Sequence, residues 1–381
     1  MNRILLSFLL PLLISAKALT QIDTVLHFED YNPSSSLVVP ENIIKRSKYP
    51  FIDAHNHQFD MSSEKLEIVV EGMDKLNMAV MVNLSGRGFI RKEIADGKYE
   101  YRLRDTDYFK ETITNINKKY AGRIVLFTNI DFEGFGQEGW IEKILKEIEL
   151  DVSRGAKGLK IYKNLGLTQQ DNNGERVAVD DPRLNPVWEK CAELNIPVLI
   201  HTGEPFQFWQ PKDKNNERWL ELKQRPNRYR DPKIFPAWEV VMKEQHNVFR
   251  KHPNTIFINA HLGWLGFDLD RLGKLMDELP NMYTEIGAVL AELGRQPRHA
   301  RQWFIKHQDK ILFGKDSWNP EEYYVYFRVL ETADEYFDYY RKRHAFWKMY
   351  GMDLPDEVLK KVYYKNALKI IPGIDKSLFP D

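Results

Sequence analysis

Eight short apolar runs, separated by stretches with helical spacing, constrain the fold of this chain more than any other feature. They are Pro50–His55, Ala79–Leu84, Ile124–Ile130, Lys157–Tyr162, Pro197–His201, Thr255–Ala260, Met282–Ile286 and Lys310–Gly314. Near-continuous apolar strands are what a sheet buried on both faces requires. Between them lie helical patterns such as Trp140–Ser153 and Pro186–Leu194. Strands alternating with helices argue for parallel βαβ units, and eight of them for a closed (β/α)8 TIM-like barrel in the α/β class. The alternative is an open doubly wound sheet. A glycine-rich phosphate loop after an early strand would favour it, and none is present. Two connections are long, Glu204–Pro253 and Trp318 to the C-terminus. Loops of that size on a barrel rim carry lids and substrate contacts.

The rest of the chain fits around that barrel. Residues 1–18 read as a secretory signal peptide: Arg3 gives a positive start, Ile4–Ile14 an apolar core, and Ala16-Lys17-Ala18 a cleavage site. The core is short of the roughly 20 residues that span a bilayer. Residues 19–48 form a polar lead-in arm, 49–372 the barrel domain, and 373–381 a tail. Lysine plus arginine and aspartate plus glutamate both number 55 in 381 residues. Without the first 18 residues, 53 basic and 55 acidic residues remain, a net charge of −2. No basic run suggests a nucleic-acid partner. Cys191 is the sole cysteine, which rules out an internal disulfide. The expectation is an exported protein, periplasmic or secreted, with no membrane contact after signal removal. Its partner is a small-molecule substrate, and a homo-oligomer is left open.

Reactive residues of such barrels sit at the C-terminal ends of strands. The first run ends in His55-Asn56-His57, whose imidazoles share a face because strand side chains alternate. Two imidazoles there can grip one metal ion. The fifth run ends in His201, the sixth is followed by His261, and Asp316 follows the eighth. Four of the ten histidines thus gather at one rim, while His27, His246, His252, His299, His307 and His344 lie outside the runs.

At these residues the chain resembles the metal-dependent amidohydrolase superfamily, and most closely its amidohydrolase-2 branch. The resemblance covers Tyr49 to Pro372. It rests on Asp53-Ala54-His55-Asn56-His57, Gly155–Lys160, Pro197–His201, Ala260-His261-Leu262-Gly263 and Leu312–Ser317, in that order. It implies a distorted (β/α)8 barrel with one divalent metal, zinc first and manganese as the alternative. By that resemblance His55, His57, His201 and Asp316 are the ligands, and His261 is an acid/base residue just behind them. Three imidazoles and a carboxylate leave an open position for water, whose pKa the ion lowers. Asp316 can also take the water's proton and return it to the leaving group.

Other residues are candidates for the substrate. Lys160 is placed as a cation for a substrate carboxylate. Its carboxylated form would instead bridge two metals, as a strand-four lysine does in wider relatives. Lys157 lies on the other face of that strand, and Lys315 is expected to face away from Asp316. Trp264, Trp318, Phe206, Phe208 and Trp209 follow metal-site strands and can stack a ring. Arg295 and Arg298 can clamp a carboxylate, and Glu204 and Glu285 can bond hydroxyls. The expected function is hydrolysis of a C–O or C–N bond in a small polar ring compound such as a lactone, ester or amide. The alternatives are non-oxidative decarboxylation on the same cage and a non-catalytic binding protein.

Overall fold

A computed structural model describes residues 26–61, 63–95 and 98–380. The signal-peptide reading of residues 1–18 lies outside them. Residues 26–37 belong to a separate unit built around one turn, in which Asp30 N and Tyr31 N donate to His27 O at 2.9 and 3.2 Å. Residues from Val38 onward form the second unit, which holds every element below.

The apolar runs become parallel strands, trimmed at their ends. They are β1 (Phe51–Asn56), β2 (Met78–Asn83), β5 (Ile124–Leu126) with its continuation β6 (Thr128–Asn129), β7 (Leu159–Ile161), β8 (Val198–Ile200), β9 (Phe257–Asn259), β10 (Met282–Glu285) and β11 (Ile311–Leu312). One sheet orders them β1-β2-β5, the other β11-β10-β9-β8-β7-β6. The chain joins the sheets at Phe127, between β5 and β6. The seam between β11 and β1 is closed by Ala54 N donating to Phe313 O at 2.9 Å and Asp316 N donating to His55 O at 2.6 Å. Eight strand positions therefore form a closed (β/α)8 barrel. Every residue of β1 is buried, as a strand covered on both faces must be.

The helices coat the outside. Along α1 (Ser63–Leu76) the buried side chains Leu66, Val69, Val70, Met73 and Leu76 recur at helical spacing and face the strands. Helices α2 (Thr106–Lys119), α3 (Trp140–Arg154) and α4 (Asn185–Glu193) follow in turn. Asp105 caps α2 by accepting from Tyr108 N at 2.9 Å, a contact worth about 1 kcal/mol. The long connection after β8 holds α5 (Trp219–Gln224) and α6 (Trp238–Lys251). Beyond it come α7 (Leu269–Glu278), α8 (Leu290–Gly294), α9 (Pro297–His307) and α10 (Pro320–Glu331).

One element lies outside the sequence reading. After β2, strands β3 (Phe89–Ala95) and β4 (Lys98–Leu103) form an antiparallel hairpin. It puts Phe89 and Leu103 over the mouth of a cavity described below.

Candidate metal centre

Strand ends bring three of the four predicted ligands together: ligand atoms of His55, His57 and Asp316 lie within 4.8 Å of one another, and His201 stands outside that group. The rings of His55 and His57 lie 5.3 Å apart although β1 ends at Asn56. Asp316 Oδ1 stands 3.3 Å from His55 Nε2 and 3.8 Å from His57 Nε2. Donors bound tetrahedrally at about 2.0–2.1 Å from one zinc ion stand roughly 3.3 Å apart, so these spacings suit a shared ion. His201 joins through His261, whose Nε2 is 3.4 Å from His201 Nδ1.

The hydrogen bonds decide which nitrogens remain free. Glu285 Oε1 is 2.8 Å from His55 Nδ1, so Nδ1 carries a proton and Nε2 is the atom left to face Asp316. His261 Nδ1 is 2.7 Å from Gly287 O. A carbonyl only accepts, so His261 Nδ1 donates and its Nε2 can accept from His201 Nδ1. His57 Nδ1 is 2.8 Å from Ser85 Oγ, which lies 3.0 Å from Tyr162 Oη. Tyr162 can in turn donate to Leu84 O at 3.1 Å. The whole arrangement is met by one tautomer at each ring, with Nε2 of His57 and His201 unprotonated. His55 Nε2 and His201 Nε2 are buried and make no hydrogen bond among the described residues. Ligand atoms of His55, His57 and the Asp316 carboxylate gathered within 4.8 Å of one another are the donors a cation would join. The donor set fits a divalent ion.

Charges follow from this geometry. Burial would raise the Glu285 carboxyl, but the neighbouring His55 and His261, which donate to it from Nδ1 and the backbone N, outweigh burial and hold the group at about 2. Burial would likewise raise Asp316, and the neighbouring rings of His55, His261 and His57 keep it well below the usual carboxylate range. Burial pushes the His261 ring down to about 4, so it is neutral near pH 7. Backbone strain clusters here too. His261, Leu262, Gly263 and Trp264 are four consecutive residues with φ between 54° and 58°. Asp316 has φ 82°. Left-handed conformations cost roughly 1–2 kcal/mol per non-glycine residue, and such strain gathers at functional sites.

Lys160 is 1% exposed, and its Nζ makes no hydrogen bond among the described residues. Burial lowers its pKa to about 7. Lys157, on the other face, packs against Gly373. Lys160 lines a cavity of 630 Å³ together with Phe59, Phe89 and Tyr162. The Phe59 and Tyr162 rings stack on His57 at 6.2 and 5.7 Å, so the cavity adjoins the ligand cluster.

Several predicted substrate contacts are elsewhere. Glu204 is consumed by Lys163, Arg230 and Arg228 at 2.6, 3.1 and 3.4 Å, so it is not free for hydroxyls. Glu285 serves His55 rather than a substrate. Arg295 pairs with Glu292 and Glu217 at 2.7 and 2.9 Å, and Arg298 is exposed on a groove that contains no ligand residue. Helices α8 and α9 carry both arginines away from the end of β10. Trp318 turns its indole toward Gly72 of α1 and meets Tyr323 edge-on at 5.8 Å. Trp264 is 7% exposed and stacks on His261 at 4.6 Å, which makes it a wall of the histidine cluster. Phe206 and Phe208 pack within the long connection, under Phe267 and Arg228. Trp209 donates to Pro236 O at 2.8 Å. Lys315 faces away from Asp316, fully buried, and pairs with Glu322. The sequence reading did not single out Ser85, Tyr162, Phe59 or Phe89. Tyr162 ends a strand, but Ser85 and the two phenylalanines fall in connections with no periodic signal.

Comparison with known proteins places this geometry. No curated protein sequence matches the chain. Among solved structures, an uncharacterized TIM-barrel protein from Bordetella bronchiseptica aligns with TM-score 0.50 at 13% identity, over 84% of this chain and 97% of its own. A dihydroxybenzoic acid decarboxylase from Polaromonas sp., solved with bound manganese and the inhibitor 2-nitroresorcinol, aligns with TM-score 0.50 at 14% identity, over 84% and 96%. At such identities the likeness shows the barrel fold alone. A family model described as Amidohydrolase matches residues 52–372, from the second residue of β1 to beyond β11. The chain therefore belongs to the amidohydrolase-2 branch of the metal-dependent amidohydrolase superfamily.

Proposed function

We propose that the chain is a metal-dependent hydrolase that cleaves a C–O or C–N bond in a small ring compound such as a lactone, ester or amide. The observation that carries this reading is the convergence of the His55 and His57 Nε2 atoms on Asp316 Oδ1, at 3.3 Å and 3.8 Å. His55, His57, His201 and Asp316 would hold one divalent ion, zinc in the first instance and manganese as the alternative. Such an ion polarises a carbonyl and makes a water acidic near neutral pH.

The protein's own groups do the rest. Asp316 is ionised and 31% exposed, so it can accept the proton of an attacking water and hand it to the leaving oxygen or nitrogen. Glu285 holds the His55 ring in one orientation, and His261 does the same for His201. With its Nδ1 proton committed to Gly287 O, His261 acts here as a positioning residue, and proton transfer rests on Asp316. Lys160 offers a buried amine to an anionic or carbonyl oxygen of the substrate.

The second reading is a non-oxidative decarboxylase. Lys160 favours it, because an unpartnered buried amine suits a substrate carboxylate. The decarboxylase of similar fold with bound manganese is consistent with it. In that reaction the C–C bond to the carboxylate breaks and Asp316 delivers a proton to the carbon. Asp316 is ionised, so it stands ready to take a proton from water, whereas delivery to carbon needs it protonated first. A screen of lactones, esters, amides and aromatic acids against zinc- and manganese-loaded protein separates the two. Acid release from substrates without a carboxylate supports the hydrolase. Turnover confined to carboxylic acids, with carbon dioxide released, overturns it. Export is part of the same proposal, supported by the Ile4–Ile14 core and the Ala16–Ala18 site; the exported protein should begin at Leu19 on N-terminal sequencing.

A further inference from the structure

The cavity beside the ligand cluster is larger than a single reacting ring needs. Its 630 Å³ lies within the roughly 300–1,000 Å³ of pockets that enclose drug-sized molecules. Its wall also changes character along its length. At the inner end is Lys160, the one cation among its described lining residues. The middle is aromatic: Phe59 and Tyr162 stack on His57, and Phe89 meets both edge-on at interplanar angles of 76° and 73°. Phe59 is 53% exposed, a large apolar face left open at the mouth. The far end is different again. It is formed by the connections after β6 and β7, which bring the apolar Phe132, Phe135 and Leu165 together with exposed carboxamides, among them Gln137, Asn164 and Gln170, and the carboxylates of Asp131 and Glu133.

Each carboxamide offers donors and an acceptor side by side. A hydroxyl both donates and accepts, so a run of hydroxyls can satisfy such a wall, while an apolar tail would leave it unpaired. An anionic tail would meet Asp131 and Glu133 with like charge. Aromatic faces next to the amides take the apolar face of a ring. We propose that the connections after β6 and β7 form a subsite for an uncharged polyhydroxyl tail, of the glycosyl type, attached to the ring whose reacting group lies near Asp316. The substrate class is then a ring compound that carries a glycosyl or polyol substituent, read by the aromatic middle and the amide end together. This assignment rests on the reading that the reacting group sits by the metal centre.

Calorimetric binding of three ligands tests it: para-hydroxybenzoate, its para-O-glucoside, and para-(carboxymethoxy)benzoate. The glucoside should bind at least about tenfold more tightly than the parent, one hydrogen-bonding contact's worth or more. The carboxymethoxy compound should bind more weakly than the parent. Combining Asn164→Ala with Gln170→Ala, both exposed positions, should bring the parent and glucoside affinities within about twofold of each other. Equal affinities in the unaltered protein, a preference that persists in the double variant, or no binding of the glucoside would each overturn the subsite. The same titrations on chelator-treated protein keep the two readings apart. Absence of any bound metal would sink the preceding section and leave the glucoside preference standing. Loss of the preference in metal-loaded protein would sink the subsite alone.

Discussion

Two buried polar clusters share the seam between β1 and β11, and only one of them is complete. In the first, Asp53 Oδ1 accepts from His55 N and Lys315 N, both at 3.1 Å, and Oδ2 accepts from Tyr323 Oη and Asn56 Nδ2 at 2.6 and 2.8 Å. Lys315 Nζ is met by Ser317 O at 2.8 Å and by Glu322. Burial pushes the Asp53 carboxyl up to about 6 against those four hydrogen bonds. In the second cluster, two residues along the strand, His55 Nε2, His201 Nε2 and Lys160 Nζ have no hydrogen-bond partner among the described residues. Buried polar groups are ordinarily satisfied, and exceptions call for an explanation. The complete cluster closes the barrel. The incomplete one is shaped for something the chain does not itself supply.

The largest expected effect separates the clusters by stability. Asp53→Ala leaves several buried donors unmet and should destabilise the protein by about 3–5 kcal/mol, the scale of breaking a buried ion pair. His57→Ala in metal-free protein should cost less, about 1–2 kcal/mol, because it removes one hydrogen bond to Ser85 and the ring contacts with Phe59 and Tyr162. Urea unfolding of both variants measures the contrast. A similar loss in both would erase the distinction between the clusters.

Activity should respond in the opposite sense. Asp316→Asn should lower turnover by about a hundred- to ten-thousand-fold, the range attributed to a positioned proton acceptor, with the fold retained. Steady-state kinetics with circular dichroism checks both halves. Glu285→Gln acts more gently, through the orientation and basicity of His55. It should weaken metal binding by about 10–100-fold, read by competition with a chelator. Unchanged metal affinity would return Glu285 to the substrate role expected from sequence.

The smallest effect is a pH dependence. Burial lowers the folded pKa of Lys160 from 10.5 to about 7. Between about pH 7 and 10.5 the unfolded chain binds a proton that the folded one does not, so this group makes stability rise with pH across that window. Lys160→Met should flatten that rise in melting curves of the metal-free protein. An identical slope in the variant would show that Lys160 is solvated or paired.

The barrel and the residues at the rim ends of its strands were legible because both follow from local pattern. An apolar run of five or six residues reports a strand buried on two faces, and the residue at its end reports the rim. His55, His57, His201, His261 and Asp316 all followed from that rule, and Glu285 sits where it also points. Its partner is set by the closure of β1 against β11, so its service to His55 was not readable from its own neighbourhood. Arg295 and Arg298 misled for the converse reason. They are near β10 in sequence, but the turn into α8 and α9 carries both away, and the acidic partners Glu217 and Glu292 hold Arg295. Trp318 is placed by the room that Gly72 leaves on α1, 246 positions away in the chain. The hairpin of β3 and β4 escaped because its residues pair with each other and not with the barrel.

The central claim is that the incomplete cluster holds one divalent ion. Elemental analysis of protein produced with zinc and manganese supplied tests it directly. The account predicts about one ion per chain, lost when His55→Ala and His57→Ala are combined. Metal near zero in the unaltered protein would contradict it, and two ions per chain would move Lys160 from the substrate to the metal.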